Sequence, residues 1–317
     1  MRRIGIAAVL LAVLLGAVVF SPQGGLSETL WMGTLHNFAH GPIFGCVALL
    51  LLFGLRSHAR FAGQSLVRQY LIVFALTALL GLATEIAQRF TGRDSSIEDL
   101  VTDMLGAASV LLLFAALDPG RKVRARNSAM LVVPGLIALG VLCWPLVLTA
   151  RAYIDRARAF PAIADFTQGV GLRFISARHA SIEVVPVPTQ WAVSQGERAL
   201  RVSLGGGDWP GIELWEPSPD WTGYRHLAIE LFNPHAFELD LSMRIDDRHH
   251  NYQMDDRYNA RIELPPQART TIRIPLAEIE SAPRGRKFDL ERTARLLLFR
   301  REATRNETFY LVRVSLE

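Results

Sequence analysis

Cysteine is nearly absent from this sequence. Of 317 residues only Cys46 and Cys143 are cysteine. Both lie inside apolar runs without metal-ligand spacing, and both read as small apolar packing residues. A disulfide framework or a thiolate metal centre is thereby excluded as the organising principle. No nucleophile-elbow or Walker motif appears, and no His-Glu-x-x-His. The second half also lacks any charge excess. Residues 151–317 carry 23 Lys/Arg and 23 Asp/Glu, whereas residues 1–150 carry 11 and 7. The net charge of +4 therefore belongs to the first half. There the basic residues cluster between apolar runs, which marks them as topology signals on membrane loops rather than as a nucleic-acid surface.

What the chain does contain divides at about position 150, where long apolar runs give way to short alternating segments. The first run, 4–20, follows Met1-Arg2-Arg3 and resembles a signal peptide, but Ser21 to Leu26 form a poor cleavage site, so an uncleaved first helix is expected. Four further runs, at about 36–55, 70–88, 99–117 and 129–149, approach the roughly 20 residues that cross a hydrocarbon core. The fourth span is the weakest, because Asp99 and Asp103 occupy its first turns. Arg2, Arg3, Arg56, Arg60, Arg68, Arg121, Lys122, Arg124 and Arg126 all fall on one side, and only Arg89 and Arg93 on the other. A cytoplasmic N-terminus follows. Five crossings then deliver everything after a connector at 151–159 to the periplasmic or extracytoplasmic side of an inner membrane.

Three polar pairs interrupt the spans: His36 and His40, Glu85 and Gln88, Asp99 and Asp103. Their three- or four-residue spacing puts each pair on one helical face, and the topology puts all three at the outer ends of their helices. The loop 89–96 adds Arg89, Arg93 and Ser95 to the same region. The run Glu85-x-x-Gln88-x-Phe90-x-x-Arg93-x-Ser95-x-x-x-Asp99-x-x-x-Asp103-x-x-Gly106-Ala107 resembles the signature of the VanZ-like membrane family, over about positions 30–117. Asp103 departs from it, standing where the family more often has Asn. The resemblance implies a small helical membrane domain linked to glycopeptide (teicoplanin) resistance or envelope functions, without an established reaction. From the residues themselves three readings stay open. One is an ion-pair network that fixes helix packing. A second is a site for a polar envelope molecule such as a lipid-linked saccharide, with guanidinium for phosphate or carboxylate. The third is a catalytic or Zn²⁺-binding use of His36, His40 and the acids.

After the connector, segments 200–204, 227–231, 239–243, 271–274 and 309–314 alternate apolar and polar residues between Gly, Pro and Asn/Asp turns. That pattern predicts an all-β antiparallel sandwich over 160–317. Asp165-Phe166, Asp220-Trp221-Thr222-Gly223-Tyr224, Asn233-Pro234, Arg244-Ile245-Asp246-Asp247 and Ile272-Arg273-Ile274-Pro275-Leu276 resemble the galactose-binding-like jelly roll of carbohydrate-binding modules. The resemblance implies sugar or cell-surface binding and, often, a structural Ca²⁺. Trp221 and Tyr224 are expected in the core or in turn packing. Trp209 and Trp215 stand in loop-like sequence and are candidates to stack on a sugar ring. The polar stretch 246–259 adds Asp246, Asp247, His249, Arg257 and Tyr258 as glycan-binding candidates, with its carboxylates as Ca²⁺ candidates. The same stretch also reads as a solvated loop.

Together these features predict a five-helix membrane bundle followed by a jelly-roll sandwich. The expected function is an envelope protein that contacts membrane lipid, binds a glycan or lipid-linked component and does not bind nucleic acid, with no cofactor established. The rivals are an enzyme working through the polar pairs on a lipid-linked or cell-wall substrate, and a scaffold that docks another envelope protein.

Overall fold

The structure, a computed structural model, describes residues 29–90, 97–118, 125–217, 220–301 and 307–317. It divides into two compact units, Met1–Thr149 and Ala150–Glu317. In the first, α1 (Leu30–Arg56) leads through the short α2 (Ala59–Ala62) to α3 (Leu66–Phe90), α4 (Ile97–Leu117) and α5 (Ala125–Ala159), whose residues from Ala150 onward belong to the second unit. Segments Leu30–Arg56, Leu66–Phe90, Ile97–Leu117 and Ser128–Ala159 are long and apolar enough to cross a membrane. The expected span at 4–20 lies outside the described residues.

Each described helix outruns the apolar stretch that predicted it, for local reasons. Thr29 caps α1, its hydroxyl accepting from the Met32 amide at 3.1 Å. Glu98 and Asp99 lie within the first turn of α4, where the helix dipole favours negative charge. The expected connector 151–159 is helical and completes α5, with Arg151 and Asp155 paired one turn apart at 3.4 Å.

Close backbone approach organises the helical unit. A Cβ placed on Gly106 of α4 would lie 2.0 Å from the Gly41 carbonyl oxygen of α1. One turn on, a Cβ on Gly45 would lie 2.7 Å from Val110 Cγ2. Small residues at this spacing let two helices touch where no hydrophobic effect drives them together. Next to this crossing Ala48, Leu52, Val73, Ala107 and Leu111 form a buried core. A polar tie unforeseen in the sequence closes one end of the bundle. Arg56 contacts Asp118 and Gln69, each at 2.7 Å, and the Tyr70 hydroxyl donates to Asp118 at 2.7 Å. Buried as Asp118 is, it would be costly without these donors.

The second unit is an antiparallel β-sandwich. Its strands are β1 (Ala162–Asp165), β2 (Ile175–Arg178), β3 (Ala180–Pro186), β4 (Arg198–Leu204), β5 (Gly211–Trp215) and β6 (His226–Asn233). β7 (Leu239–Asp247), β8 (Tyr258–Leu264), β9 (Ala268–Pro275), β10 (Thr293–Phe299) and β11 (Thr308–Leu316) follow, with the short α6 (Leu276–Ser281) after β9. One sheet has the order β3-β4-β11-β6-β9, with β1 also on β11; the other runs β2-β5-β10-β7-β8. Inward-facing positions alternate along the strands, as Leu239, Leu241, Met243 and Ile245 do on β7. Trp221 is fully buried, its indole N–H donating to the Pro217 carbonyl at 2.8 Å, as expected of a core residue. A bulge at Leu311/Arg313 lets the adjacent Leu311 and Val312 both be buried. Val312 joins Phe232, Val187 and Ala199 in a separate cluster, where Phe232 stacks on Tyr310 at 4.1 Å.

The β7–β8 loop is held by one guanidinium. Arg286 contacts Asp247 at 2.5 and 2.9 Å and Asp256 at 2.5 Å. Asp247 also accepts from the Asp289 amide at 2.8 Å, and Asp256 from the Asn251 amide at 2.8 Å. Arg286 holds the Asp256 carboxyl below its usual range. Arg286 thus cross-links the two ends of the polar stretch, while Arg248, His249 and residues 251–255 between them are exposed, as a solvated loop is.

Two outcomes follow. Gly106→Ala forces α1 from α4 and lowers stability by about 3 kcal/mol. Gly140→Ala, with open space around it, is neutral or stabilising by up to about 1 kcal/mol. Thermal denaturation in detergent separates the two. Arg286→Ala strands two buried carboxylates and costs about 3 kcal/mol near neutral pH. Because the folded pKa of Asp256 lies below its unfolded one, its contribution is present above about pH 4 and is lost as pH falls through the folded value. The gap between wild type and Arg286→Ala should therefore narrow in acid, read as melting temperature against pH.

Candidate functional site

Of the polar pairs in the helical unit, the structure joins His40 to Asp103. Nδ1 and Oδ1 stand 3.3 Å apart, and both side chains are buried. His40 adjoins Gly41 and Asp103 lies one turn before Gly106, so this pair occupies the tightest helix crossing. The second Asp103 oxygen faces Gly81 of α3, where a Cβ would approach it to 3.2 Å. Glu85 and Gln88 are buried on α3, and Asp99 is half-buried. Asp99 and Glu85 lie near enough to act electrostatically on the His40–Asp103 pair. The His36 ring meets His40 edge-on at 5.9 Å. Arg93 and Ser95 lie outside the described residues. His40 and Asp103 stand within ion-pair distance but outside hydrogen-bond geometry, and a carboxylate and an imidazole so placed each lower the other's cost of burial.

The second concentration of chemistry is the outward face of β2-β5-β10-β7-β8. Leu214, Leu296, Leu298, Met243 and Ile245 point into the core, so their alternating neighbours point away. Register places Trp215 beside Arg295 and Arg295 beside Asp246. The next row sets Glu213 beside Leu297, Leu297 beside Arg244, and Arg244 beside Asn259. Arg257 immediately precedes β8, and its Nε donates to Asn259 Oδ1 at 2.9 Å, which holds its head beside the same face.

These side chains are locked in place. Asp246 accepts from Arg244 Nε at 2.7 Å and Nη2 at 2.6 Å, and from Arg295 Nη2 at 2.8 Å. Arg295 also reaches Glu213 at 3.3 Å and lies over the Trp215 ring, 5.7 Å from its centroid. The Trp215 indole N–H donates to Ser176 of β2 at 2.9 Å. Burial pushes the Glu213 carboxyl up, against the opposing pull of Arg295. At the edge of this face the exposed Trp209 meets Phe299 at 5.6 Å, with Arg301 5.8 Å from the Trp209 ring centroid. Gly211 permits this, because a Cβ there would come within 2.7 Å of Phe299 Cβ. Behind Trp215, Glu216 accepts from Tyr153 at 2.8 Å, and Arg156 covers Phe174 at 3.8 Å.

The predicted glycan-binding residues thus separate into three groups. Trp215, Asp246 and Arg257 share the sheet face, and Trp209 borders it through Phe299. Asp247 belongs to the Arg286 corner, and His249 pairs with Asp289 at 3.2 Å. Tyr258 points inward, 5% exposed, its hydroxyl donating to Glu278 at 2.8 Å. Sequence reasoning missed Arg244, Arg295, Glu213 and Phe299. The alternation of β5 is visible in Gly211-Ile212-Glu213-Leu214-Trp215 once its pairing is known. Leu296-Leu297-Leu298-Phe299 hides that of β10. The expected Ca²⁺ does not fit here. Asp246, Asp247 and Asp256 are engaged by guanidinium groups, and among the described residues no group of three or more His, Cys, Asp and Glu side chains is disposed to hold a metal.

No model of a known protein family matches the chain, and no curated protein matches its sequence. Among solved structures it is similar to a family 11 carbohydrate-binding module of Clostridium thermocellum in complex with a β-1,3-1,4-mixed-linked tetrasaccharide. The identity is 16% over 49% of this chain and 93% of that one, with a TM-score of 0.37. It is also similar to the CBM22-1 xylan-binding domain of Paenibacillus barcinonensis Xyn10C, at 13% identity over 49% of this chain and 94% of that one, with a TM-score of 0.33. An exo-β-agarase matches at 11% identity over 49% of this chain and 25% of its own, with a TM-score of 0.40. Below a TM-score of 0.5 these likenesses carry no argument about the sheet face. By its own described residues the chain has four helices able to cross a membrane and an antiparallel β-sandwich.

Proposed function

We propose that this chain is a membrane-anchored glycan-binding protein of the cell envelope, with its binding surface on the outward face of β2-β5-β10-β7-β8. The observation that carries this reading is the Trp215–Arg295–Asp246 row, flanked by Trp209 and Phe299. Sugar rings present flat C–H faces that suit aromatic surfaces, while their hydroxyls need fixed donors and acceptors. A guanidinium already held by two carboxylates supplies such groups with little ordering cost on binding. Successive strands pass repeatedly between the two sheets, which supports the jelly-roll description.

The placement of Lys and Arg supports a cytoplasmic N-terminus, an inner-membrane location and an extracytoplasmic sandwich. The resemblance of positions 30–117 to VanZ-like proteins supports an envelope setting, and a link to glycopeptide resistance rests on that resemblance alone. No reaction is part of the proposal. His40 and Asp103 are engaged with each other, and Asp246 with two arginines.

The full chain in neutral-lipid nanodiscs, passed over an array of envelope and plant polysaccharides, should retain at least one saccharide. Trp215→Ala and Trp209→Ala should each weaken that binding about tenfold, since an aromatic contact of this kind is worth about 1–2 kcal/mol. Melting temperature controls for folding. Failure to retain any saccharide rules the reading out and leaves the scaffold alternative.

A further inference from the structure

Around Trp215 and Arg295 positive charge exceeds negative, whereas farther along β7 and β8 Arg261 meets both Asp240 and Glu263. Three guanidinium groups, from Arg244, Arg257 and Arg295, share a patch with two carboxylates, Asp246 and Glu213. Asp246 is committed to Arg244 and Arg295, and Glu213 to Arg295. Among the described residues Arg257 has no carboxylate in ion-pair contact. Its Nε donates to Asn259 Oδ1 at 2.9 Å, which orients the planar head. Its terminal nitrogens carry no hydrogen bond among the described residues, so their N–H groups are left for a planar acceptor. Arg257 is half-buried, and burial with the charge of Arg244 and, more weakly, Arg295 pulls its pKa below the usual arginine range, against the opposing pull of Asp246. A cation fixed in orientation, partly desolvated and repelled by two like charges is a poor arrangement for folding alone. An anion placed against it would remove the repulsion and gain bidentate hydrogen bonds.

We propose that Arg257, flanked by Arg244 and Arg295, is an oxyanion subsite of the Trp215 face and takes the carboxylate or phosphate ester of an acidic polysaccharide. This rests on the glycan-binding reading and narrows it to charged saccharides. The oriented guanidinium selects by bidentate geometry, which sets it apart from general attraction to a basic protein. Residues 151–317 are in fact neutral overall, with 23 charges of each sign.

The test uses the full chain in neutral-lipid nanodiscs with alginate, polygalacturonate and hyaluronan, each beside its carboxyl-reduced form. Polyglycerol phosphate serves as the phosphate arm. At least one acidic polymer should bind about tenfold or more tightly than its neutral counterpart, a difference that Arg257→Gln abolishes. Arg257→Lys should restore only part of it, because an ammonium keeps the charge but loses the fork. The melting temperature of Arg257→Gln should match that of the wild type, which shows the face still folded. Arg273→Gln, on the other sheet and paired with Glu317, should change nothing. Preference for polyglycerol phosphate over the carboxylates identifies phosphate as the group taken. Equal binding of acidic and reduced polymers, or an acid preference that survives Arg257→Gln, overturns the subsite and leaves glycan binding standing. No binding of any polymer, acidic or neutral, overturns both.

Discussion

Asp246 is almost completely buried, and its carboxylate is shared between Arg244 and Arg295. An unpaired carboxylate in that position would cost several kcal/mol. The two guanidinium groups therefore have to stay, and in staying they set the outward face of the sheet. Arg295 lies across Trp215 and reaches Glu213, and Arg244 carries the row toward β8. The same arrangement recurs at several other acids among the described residues. Arg286 spans Asp247 and Asp256 at the β7–β8 corner, and Arg269 spans Glu197 and Glu230 on the other sheet. In the helical unit Asp118 meets Arg56, and Asp103 meets His40. Arg257 differs, for among the described residues it is a partly buried cation with no carboxylate in ion-pair contact.

Helix association rests on a different constraint. Lipid tails are as apolar as leucine, so packing must come from close contact and from polar ties. Gly41, Gly45 and Gly106 supply the contact, and His40–Asp103 lies in the same crossing. An acid and an imidazole at that point join two helices that touch through their backbones, which couples the polar pair to bundle geometry. A substitution at any of these three glycines would therefore disturb the pair without touching it.

Much of this was legible in the sequence, for reasons that can be named. Apolar runs longer than a globular helix needs pointed to membrane spans, and four of them form helices able to cross. Period-two alternation of residue type located β4, β6, β7, β9 and β11. The strand β10 escaped, since Leu296-Leu297-Leu298-Phe299 is apolar on both faces and periodicity has nothing to count. The helical connector escaped because helix propensity, and not hydropathy, extends α5 through residues 151–159. Tyr258 was placed among polar neighbours by its position in the chain, yet it points into the core because it opens a strand.

What the sequence by itself determined is the division near residue 150, the helical and β character of the halves, and the residue types available for chemistry. These follow from local periodicity and composition, which need no knowledge of distant partners. Which side chains share a surface was decided only by tertiary structure. Trp215, Arg295 and Asp246 come from three strands, and only the register of β5-β10-β7 brings them into one row, which Arg257 joins from the residue before β8. Cross-strand register depends on pairings between segments tens of residues apart, and a one-residue slip would send every one of these side chains to the other face.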